Sequence, residues 1–322
     1  MATMAQSTVR EDRCAFAQAV RCGLEFKPRQ LPSRFLYDTL GSALFDAICH
    51  LPWYRVTRGE LRLLRRYGST IGRLFRNGGR IVELGCGNGE KLAALLNEAH
   101  AADLHAHLID LSESALTHAM HRLDTVTESN VRVTTHHTTY EEGLVAMPTE
   151  TTGPTLVAML GSNIGNFDRS DATTFLRLIR ASLRQDDYLL LGADLVKPEQ
   201  ELLLAYDDPL GLTAAFNKNL LLRLNVELEA DFAVDRFAHR ACWNRGASRV
   251  EMHLVSLIAQ EVVVAEADLR VRLEEGETIW TESSYKFTPE TIRQLVEPSG
   301  FIRRAQWIDE PAGFALTLFQ AV

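Results

Sequence analysis

Hydrophobic and polar positions form two different patterns along this chain of 322 residues. Between about residues 59 and 195, short apolar runs that suit buried strands alternate with segments of helical spacing. The predicted strands are 81–82, 105–110, 131–135, 155–160 and 187–194. Strands that alternate with helices in this way predict an α/β domain with a parallel sheet.

The pattern of hydrophobic and polar positions changes after residue 196. Segments 199–206 and 212–228 have helical spacing, and the runs 249–259, 262–264 and 269–273 partly alternate with a period of two. This pattern predicts an inserted domain of helices and antiparallel strands. The last runs, 301–307 and 314–321, read as a pair of antiparallel strands that complete the first sheet.

The first predicted strand leads into a glycine-rich loop. Glu83 ends the strand, Gly85, Gly87 and Gly89 follow at every second position, and helical spacing begins at Glu90. Glycine accepts positive φ and lets a ligand approach the backbone closely. A loop that only turns tightly would also use glycine, but the flanking strand and helix favour the first turn of a nucleotide-binding sheet.

The glycine spacing bears on the kind of cofactor. A dinucleotide fingerprint, G-x-G-x-x-G, would need glycine where this chain has Glu90. A pyrophosphate would also lie beside Glu83 and Glu90 with no arginine in the loop. This favours a cationic or zwitterionic cofactor without phosphate, of which S-adenosylmethionine is the obvious example. Asp110, at the end of the next strand, suits ribose hydroxyls in either class of cofactor.

Composition narrows the class of protein further. The net charge of −8 argues against a nucleic-acid or anionic-membrane surface. Five widely spaced cysteines without a C-x-x-C predict a reducing cytoplasm and neither a disulfide scaffold nor a zinc site. The histidines do not suggest a metal site either, because His136 and His137 are adjacent and His105 and His107 lack a third ligand. The sequence contains no run of about 18 apolar residues, which is the length that would predict a membrane span.

Several longer sequence motifs match those of one protein family. The chain resembles the ergothioneine-pathway histidine Nα-methyltransferases, which use S-adenosylmethionine to convert histidine to its trimethylammonium betaine. The matching words are Phe-Leu-Tyr37-Asp, Leu-Pro-Trp-Tyr54, Glu-Leu-Gly85-x-Gly87, Leu-Gly161-Ser-x-Ile-Gly-Asn166, Asp194-Leu-Val-Lys, Ala-Tyr206-Asp-Asp, Ala-Ala-Phe216-Asn, Arg-x-Glu-Met252 and Thr-Glu282-Ser-Ser284-x-Lys-Phe. They occur in one order along almost the whole chain, which makes them far more specific than the loop alone.

The resemblance implies a fold and a domain organisation. The fold is a class I Rossmann-like methyltransferase sheet with a second, inserted α+β substrate-binding domain. The methyltransferase domain is expected at 59–195 and 286–322, and the substrate-binding domain at 11–58 and 196–285, with histidine bound between them. The implied reaction is Nα-trimethylation of L-histidine to hercynine by a cytoplasmic monomer that has no nucleic-acid or membrane partner.

The same resemblance implies the site residues. The cofactor would be bound by Glu83, Gly85, Cys86, Gly87, Lys91, Asp110, Thr139 and Tyr140. The amino-acid head, carboxylate included, is assigned to Tyr37, Asn166 and Tyr206, the imidazole to Tyr54, Glu282 and Ser284, and the apolar walls to Phe216 and Met252. A carboxylate can accept from one ring N–H while a hydroxyl serves the other ring nitrogen.

The chemistry needs few specialised groups. An amine nitrogen displaces a neutral leaving group from a methyl carbon, so neither a metal nor a covalent intermediate is required. Positioning can contribute about 7–11 kcal/mol. Three transfers occur on one nitrogen, so a base fixed to each proton would obstruct the later steps. The Gly161 carbonyl and the Asn166 amide are therefore expected to orient the lone pair, while water removes the protons.

Two positions depart from the family pattern. Arg55 stands where the family commonly has a second tyrosine after Tyr54. At residues 138–140 this chain has Thr-Thr-Tyr where the family has Gly-Asp-Phe. The aspartate of the family motif is linked to adenine binding, and its negative charge is missing at Thr139. Thr139 can still accept a hydrogen bond, and a weaker cofactor affinity or a substituting water is expected.

Each site residue also has a purely structural interpretation. The tyrosines could be interface residues, Met252 could be core, Asn166 could cap a helix, and Glu282 would ordinarily face solvent on a strand. Two other functions remain open. One is methylation of another amino acid or an indole amine, which Glu282 disfavours because a buried carboxylate would be unpaired there. The other is a non-catalytic binding protein, whose mark would be a blocked cofactor loop.

Overall fold

A computed structural model describes residues 2–99, 103–126, 131–148 and 153–322. The chain forms two compact units, Met1–Trp53 with Glu199–Ser283, and Tyr54–Pro198 with Ser284–Val322. The chain breaks therefore follow Trp53, Pro198 and Ser283, whereas the sequence placed them after residues 58, 195 and 285. The roles of the two units stay predictions.

The unit that contains Tyr54–Pro198 is built on a seven-stranded sheet. Its strands are β2 (Gly79–Leu84), β3 (Leu104–Asp110), β4 (Val131–His137), β5 (Thr155–Met159), β6 (Tyr188–Asp194), β12 (Phe301–Asp309) and β13 (Phe314–Ala321). Their spatial order is β12-β13-β6-β5-β2-β3-β4. The first five strands are mutually parallel, and β13 runs antiparallel to both of its neighbours.

Sheet order and burial follow from the sequence pattern. Every residue of β2, β5 and β13 is buried, as expected for strands covered on both faces. The covering helices are α3 (Val56–Gly72), α4 (Glu90–Ala99), α5 (Glu113–Val126), α6 (Tyr140–Val145), α7 (Arg169–Ala181) and α10 (Pro289–Val296). A doubly wound parallel sheet that closes with an antiparallel hairpin is the class I methyltransferase arrangement, so this fold prediction is confirmed.

The other unit combines helices with a smaller sheet. Its helices are α1 (Ala2–Glu25), α2 (Thr39–Cys49), α8 (Glu199–Tyr206) and α9 (Leu212–Glu227). Its strands are β1 (Arg29–Gln30), β7 (Phe237–Asn244), β8 (Arg249–Ser256), β9 (Gln260–Val264), β10 (Leu269–Leu273) and β11 (Thr278–Tyr285), the last of which crosses the unit boundary. The sheet order is β1-β11-β8-β7, with β9 and β10 as a separate hairpin.

This unit matches the predicted α plus antiparallel β pattern with one exception. The two-residue strand β1 pairs with β11 in parallel. The alternation in β8 is strict, with every second residue from Val250 to Ser256 buried. Of the described helices in either unit, none combines the length and the hydropathy that a bilayer-spanning segment requires.

Candidate active site

The glycine loop leaves the sheet where its strand order reverses. Strand β2 pairs with β3 on one side and with β5 on the other. Ligands in open α/β sheets bind beyond the carboxyl ends of the strands at such a switch point. The loop after β2 and the turn after β5 meet there, since the Asn163 Nδ2 donates to the Leu84 carbonyl across 3.4 Å.

The loop backbone has the conformation that its glycines permit. Gly85, Gly87 and Gly89 have φ values of 74°, 52° and 75°. A Cβ at Gly85 would collide with the Tyr140 hydroxyl. At Gly87, which is exposed, no described atom lies within 4 Å of the place a Cβ would take. At Gly87 the loop therefore exposes its backbone atoms to a ligand without an intervening side chain.

Asp110, at the end of β3, holds the loop in place. Its Oδ2 accepts from the Gly87 N–H at 3.0 Å and its Oδ1 from the Ser112 N–H at 2.9 Å. The Cys86 Sγ lies 4.0 Å from the same Oδ2. Burial raises the pKa of Asp110, and the two N–H donors oppose this shift. Each carboxylate oxygen has two acceptor positions, so Asp110 keeps capacity for ribose hydroxyls.

Thr139 and Tyr140 lie at the start of α6. The Thr139 Oγ1 accepts from the Glu142 N–H at 3.2 Å and so caps the helix. A hydroxyl oxygen has two acceptor positions, and the assignment of Thr139 to the cofactor stays a prediction. Tyr140 packs against Phe175 with ring centroids 5.8 Å apart. Burial raises the pKa of Tyr140, so its hydroxyl beside Gly85 stays a donor.

Glu83 is the most unusual group of the predicted cofactor set. Its side chain has no exposed surface, and neither carboxylate oxygen has a hydrogen-bond partner among the described residues. Burial raises its pKa to about 8, an effect that Lys91 opposes and Glu60 reinforces. An orphaned buried carboxylate is costly, and a cationic ligand nearby would lower that cost.

Glu60 was missed by the sequence reasoning. It is fully buried on α3, and its Oε2 accepts from the Gly161 N–H at 2.7 Å and lies 3.5 Å from the Lys91 Nζ. A Cβ at Gly192 on β6 would collide with its Oε1, so glycine makes room for the carboxylate. Burial raises the pKa of Glu60, and Lys91 opposes the shift.

The turn after β5 holds the proposed acceptor carbonyl. Gly161 and Ser162 both have positive φ, at 75° and 62°. The Gly161 N–H is bound by Glu60, and the Ser162 Oγ accepts from the Asp194 N–H at 2.9 Å. The peptide that carries the Gly161 carbonyl is therefore anchored on both sides. The Lys91 Nζ lies over Gly161, where a Cβ would collide with it.

Asn166 ends the short 3-10 helix Asn163–Asn166. On one side of it, a Cβ at Gly165 would lie 2.8 Å from the Tyr285 carbonyl. On the other side, the Tyr285 hydroxyl donates to the Asp168 Oδ1 at 2.7 Å. The structure thus brings Asn166 to the end of β11. Asp168, not Asn166, is the N-cap residue of α7, so the capping interpretation of Asn166 is wrong.

Ser284 belongs to a buried charged network that also reaches the turn. The Lys286 Nζ donates to the Ser284 Oγ at 2.9 Å and pairs with the Asp194 Oδ2 at 2.9 Å. The other Asp194 oxygen pairs with Lys197 at 2.6 Å. The side chain of Lys286 is fully buried and that of Asp194 is 2% exposed. Because an ammonium group can only donate, Ser284 is the acceptor in its hydrogen bond with Lys286.

Tyr54 and Arg55 lie just before α3. Tyr54 is buried, with 6% of its surface exposed. Arg55 is exposed and is the N-cap residue of α3, and its guanidinium donates to the Pro311 carbonyl at 3.3 Å. The departure at position 55 therefore places a charged side chain on the surface of this unit.

In the other unit, Tyr37 and Phe216 come together in an aromatic cluster. Their ring centroids are 5.5 Å apart, and Phe45 lies 5.6 Å from Tyr37 and 5.9 Å from Phe216. Phe45 was not singled out in the sequence, although it lies eight residues after Tyr37. The cluster ties α2 to α9.

Tyr206 ends α8 and is 8% exposed. Its carbonyl binds the His239 Nε2 at 2.8 Å, and the His239 Nδ1 binds the Asn217 Nδ2 at 2.9 Å. Burial lowers the pKa of His239, so the ring is neutral at neutral pH. His239 thereby fixes the end of α8 that carries Tyr206.

Met252 and Glu282 lie on β8 and β11. The Thr281 Oγ1 donates to the Met252 carbonyl at 3.0 Å. Along β11, Ile279 and Thr281 are buried, and the alternation then shifts so that Glu282 and Ser284 are buried as well. Glu282 is only 8% exposed, so the expectation that it faces solvent is wrong.

The residues assigned to the amino-acid substrate divide between the units. Tyr54, Asn166 and Ser284 belong to the seven-stranded unit, as does Gly161, whereas Tyr37, Tyr206, Phe216, Met252 and Glu282 belong to the other. Their joint arrangement around a substrate stays a prediction. All cofactor-assigned residues belong to the seven-stranded unit.

Comparison with known proteins adds independent findings. Residues 16–321 match the family described as histidine-specific, S-adenosylmethionine-dependent methyltransferases. The chain is 39% identical to the histidine N-alpha-methyltransferase of Mycobacterium tuberculosis, over 94% of each chain. It is 30% identical to ergothioneine biosynthesis protein 1 of Schizosaccharomyces pombe, over 84% of this chain and 36% of that protein. The solved magnesium protoporphyrin IX methyltransferase of Synechocystis PCC 6803 aligns with a TM-score of 0.48 at 11% identity, over 90% of this chain and 97% of that chain.

Proposed function

Because the chain belongs to the family of S-adenosylmethionine-dependent, histidine-specific methyltransferases, we propose that it trimethylates the α-nitrogen of L-histidine, which yields hercynine for ergothioneine biosynthesis. The observation that carries the proposal is the burial of Glu282 and Ser284 on the same strand, with 8% and 5% of their surfaces exposed. A hydroxyl that accepts a hydrogen bond still has an O–H that can donate to an acceptor. A neutral imidazole offers one such acceptor and one N–H.

The cofactor loop fits a cationic ligand without phosphate. The exposed Gly87 offers backbone without a side chain, and Glu83 is a buried carboxyl group without a partner among the described residues. A bound cation would favour its ionised form. Lys91 is already engaged by Glu60, so the loop has little positive charge for a pyrophosphate. S-adenosylmethionine, when bound, supplies a methyl group on a sulfonium. Asp110 would hold its ribose hydroxyls, and the backbone at Gly85 and Gly87 would lie against it.

Gly161 and Asn166 would handle the substrate amine. Glu60 and Asp194 hold the peptide that carries the Gly161 carbonyl, which makes that carbonyl a fixed acceptor. The Asn166 amide oxygen would be a second acceptor. Two fixed acceptors would bind the N–H groups of the amine and so orient its lone pair. Neither acceptor is a base that must stay at one proton, so the same groups can serve three successive methyl transfers.

Glu282 and Ser284 would recognise the imidazole by opposite roles. The Glu282 carboxylate accepts from the ring N–H, and the Ser284 hydroxyl donates to the other ring nitrogen. An indole has one N–H and no second nitrogen, so it offers the Ser284 hydroxyl no ring acceptor. This favours histidine over the alternative of a tryptophan-derived amine, because an unmet buried polar group costs about 1–3 kcal/mol.

We further propose that the substrate is the free amino acid and that the enzyme acts as a monomer in the cytoplasm. The net charge of −8 supports the absence of a nucleic-acid or anionic-membrane partner. The sedimentation of the purified chain with and without histidine would test the oligomeric state.

A substrate panel tests the proposed function. The purified chain would be incubated with S-adenosylmethionine and each of the twenty amino acids and tryptamine, with products followed by mass spectrometry. Methylation of histidine alone supports the proposal. Preferred methylation of tryptophan or tryptamine would favour the indole alternative. Cofactor binding without any methylated product would favour a binding protein.

A further inference from the structure

Three potential metal ligands converge on one face of the small sheet. The ligand atoms of Cys242, Glu251 and His253 all lie within 4.8 Å of one another. The Glu251 Oε2 is 3.8 Å from the Cys242 Sγ and 3.4 Å from the His253 Nε2. Ligands bonded to one tetrahedral zinc ion at about 2.0–2.3 Å would be separated by similar distances. None of these residues takes part in the proposed methyl transfer.

Strand pairing brings the three residues together. Cys242 on β7 lies directly opposite Glu251 on the antiparallel strand β8. His253 is two residues further along β8, so its side chain projects from the same face as Glu251. In the sequence the cysteines have no zinc-like spacing, because the cluster depends on the register of two strands and not on a local motif.

Neighbouring side chains orient the carboxylate. The Glu251 Oε1 accepts from the Arg249 Nε at 2.8 Å and from the Asn244 Nδ2 at 2.9 Å. The Oε2 is thereby turned towards Cys242 and His253. Hydrogen bonds of this kind to a ligating carboxylate are typical of metal sites.

The histidine ring is also held in place. The His253 ring stacks on Trp280 with centroids 6.1 Å apart and an interplanar angle of 25°. The side chains of Glu251 and His253 are 12% and 13% exposed. The cluster is thus preorganised and shielded, while a small ion and one water can still reach it.

We propose that Cys242, Glu251 and His253 bind a zinc-type divalent cation, with water as the fourth ligand. Thiolate and imidazole favour zinc or cobalt over magnesium and calcium, which prefer oxygen. On binding, the Cys242 thiol releases its proton to solvent and the sulfur bonds to the metal. The imidazole ligates in its neutral form through Nε2, the atom that lies 3.4 Å from Glu251. Its proton then lies on Nδ1, a buried atom without a hydrogen-bond partner among the described residues. The thiolate and the carboxylate carry two negative charges, and the Arg249 guanidinium pairs with the same carboxylate at 2.8 Å.

Metal binding is coupled to loss of the Cys242 thiol proton, because the thiolate and not the thiol is the ligand. Metal affinity should therefore rise with pH.

Cobalt titration tests the site on the full chain. The purified protein would be treated with a chelator, desalted and titrated with Co²⁺, whose bond to a thiolate gives a charge-transfer absorption band. One equivalent should produce the band, and Zn²⁺ should displace it. Cys242→Ser should abolish the band, and Asn244→Ala should weaken Co²⁺ binding about 10–100-fold. Thermal unfolding of each metal-free variant would verify that it folds.

Cys14→Ser is the matched control, because Cys14 is an exposed cysteine elsewhere in the same unit. It should retain the band. His253→Gln provides a second variant that leaves all thiols in place, and it should weaken binding at least as much as Asn244→Ala. Absence of the band in the unmodified protein, or its persistence in Cys242→Ser, would overturn the proposal. Unchanged affinity in His253→Gln would do so as well.

Discussion

The Nζ atom of Lys286 donates a hydrogen bond to the Oγ atom of Ser284 across 2.9 Å. Lys286 is fully buried and its charge is balanced by Asp194. Asp194 also binds the Ser162 hydroxyl through its own N–H. One buried network therefore sets the direction of the Ser284 hydroxyl and supports the turn that carries Gly161. The proposed contacts of Ser284 with the substrate ring and of Gly161 with the substrate amine would share this support.

Removing the Ser284 hydroxyl should weaken histidine binding selectively. We expect Ser284→Ala to raise the KM for histidine about 10-fold, because an unmet ring nitrogen costs about 1–3 kcal/mol. The KM for S-adenosylmethionine should change little. Initial-rate kinetics in both substrates would measure the effect, and Ser283→Ala is the control on the same strand. A larger loss for S-adenosylmethionine than for histidine would count against the assigned role.

Removing the positive charge of Lys286 should destabilise the whole protein. In Lys286→Met, Asp194 keeps Lys197 but loses its fully buried partner. We expect the free energy of unfolding to fall by about 3–5 kcal/mol, as for other broken buried ion pairs. Urea denaturation would measure this change. A variant as stable as the parent would show that the network does not hold Ser284 in place.

The Glu282 carboxylate should matter for histidine and not for the cofactor. We expect Glu282→Ala to lower kcat/KM for histidine about 10–100-fold, since a hydrogen bond to a charged group is worth about 1.5–3 kcal/mol. Calorimetric binding of S-adenosylhomocysteine should be nearly unchanged. Glu275→Ala, at an exposed position before β11, is the control. Equal losses of turnover and cofactor binding would contradict the proposed imidazole contact.

Glu60 should act as a positioning residue. In Glu60→Gln the side chain can still accept from the Gly161 N–H, but the charge that faces Lys91 is lost. We expect kcat and the affinity for S-adenosylmethionine each to fall about 10-fold, roughly the worth of one charge-assisted hydrogen bond, with the KM for histidine unchanged. Glu98→Gln, on α4, is the matched control. An increase confined to the KM for histidine would place Glu60 in substrate binding instead.

Glu83 should make the stability of the cofactor-free protein depend on pH. Its pKa of about 8 in the folded state lies above the ordinary value of 4.5, so the folded chain holds a proton that the unfolded chain releases. The stability from this proton is fully present below about pH 4.5 and is lost as pH rises through about 8. Glu83→Gln should flatten the fall in unfolding free energy between pH 5 and 8. An unchanged slope in this variant, or an equal change in exposed Glu141→Gln, would contradict the assignment.

The sequence predicted the elements and the cofactor loop because both depend on local patterns. Apolar runs and glycine spacing predicted β2 and the loop with Gly85 and Gly87. The family motifs assigned Asn166 and Ser284 to the substrate, which stays a prediction. Glu60 was missed although it carries a signal, since a glutamate among the apolar positions of α3 implies a buried partner. That partner, the turn at Gly161, is far away in the chain, so only the folded sheet reveals it.

Other contacts depend on register and on competition between hydrogen-bond partners. The burial shift in β11 places Glu282 inside, which an alternating pattern does not predict. The Thr139 Oγ1 accepts from the Glu142 N–H, a local contact that the sequence analysis did not foresee, and its contact with the cofactor stays a prediction. The cluster of Cys242, Glu251 and His253 depends likewise on how β7 pairs with β8.

The central claim is trimethylation of the α-nitrogen of histidine. It is tested most directly by tandem mass spectrometry of the product from histidine and S-adenosylmethionine, with fragmentation to locate the added groups. The account predicts three methyl groups, all lost together with the α-nitrogen as trimethylamine. Methyl groups retained on the imidazole fragment, or a reaction that yields no methylated histidine, would contradict it.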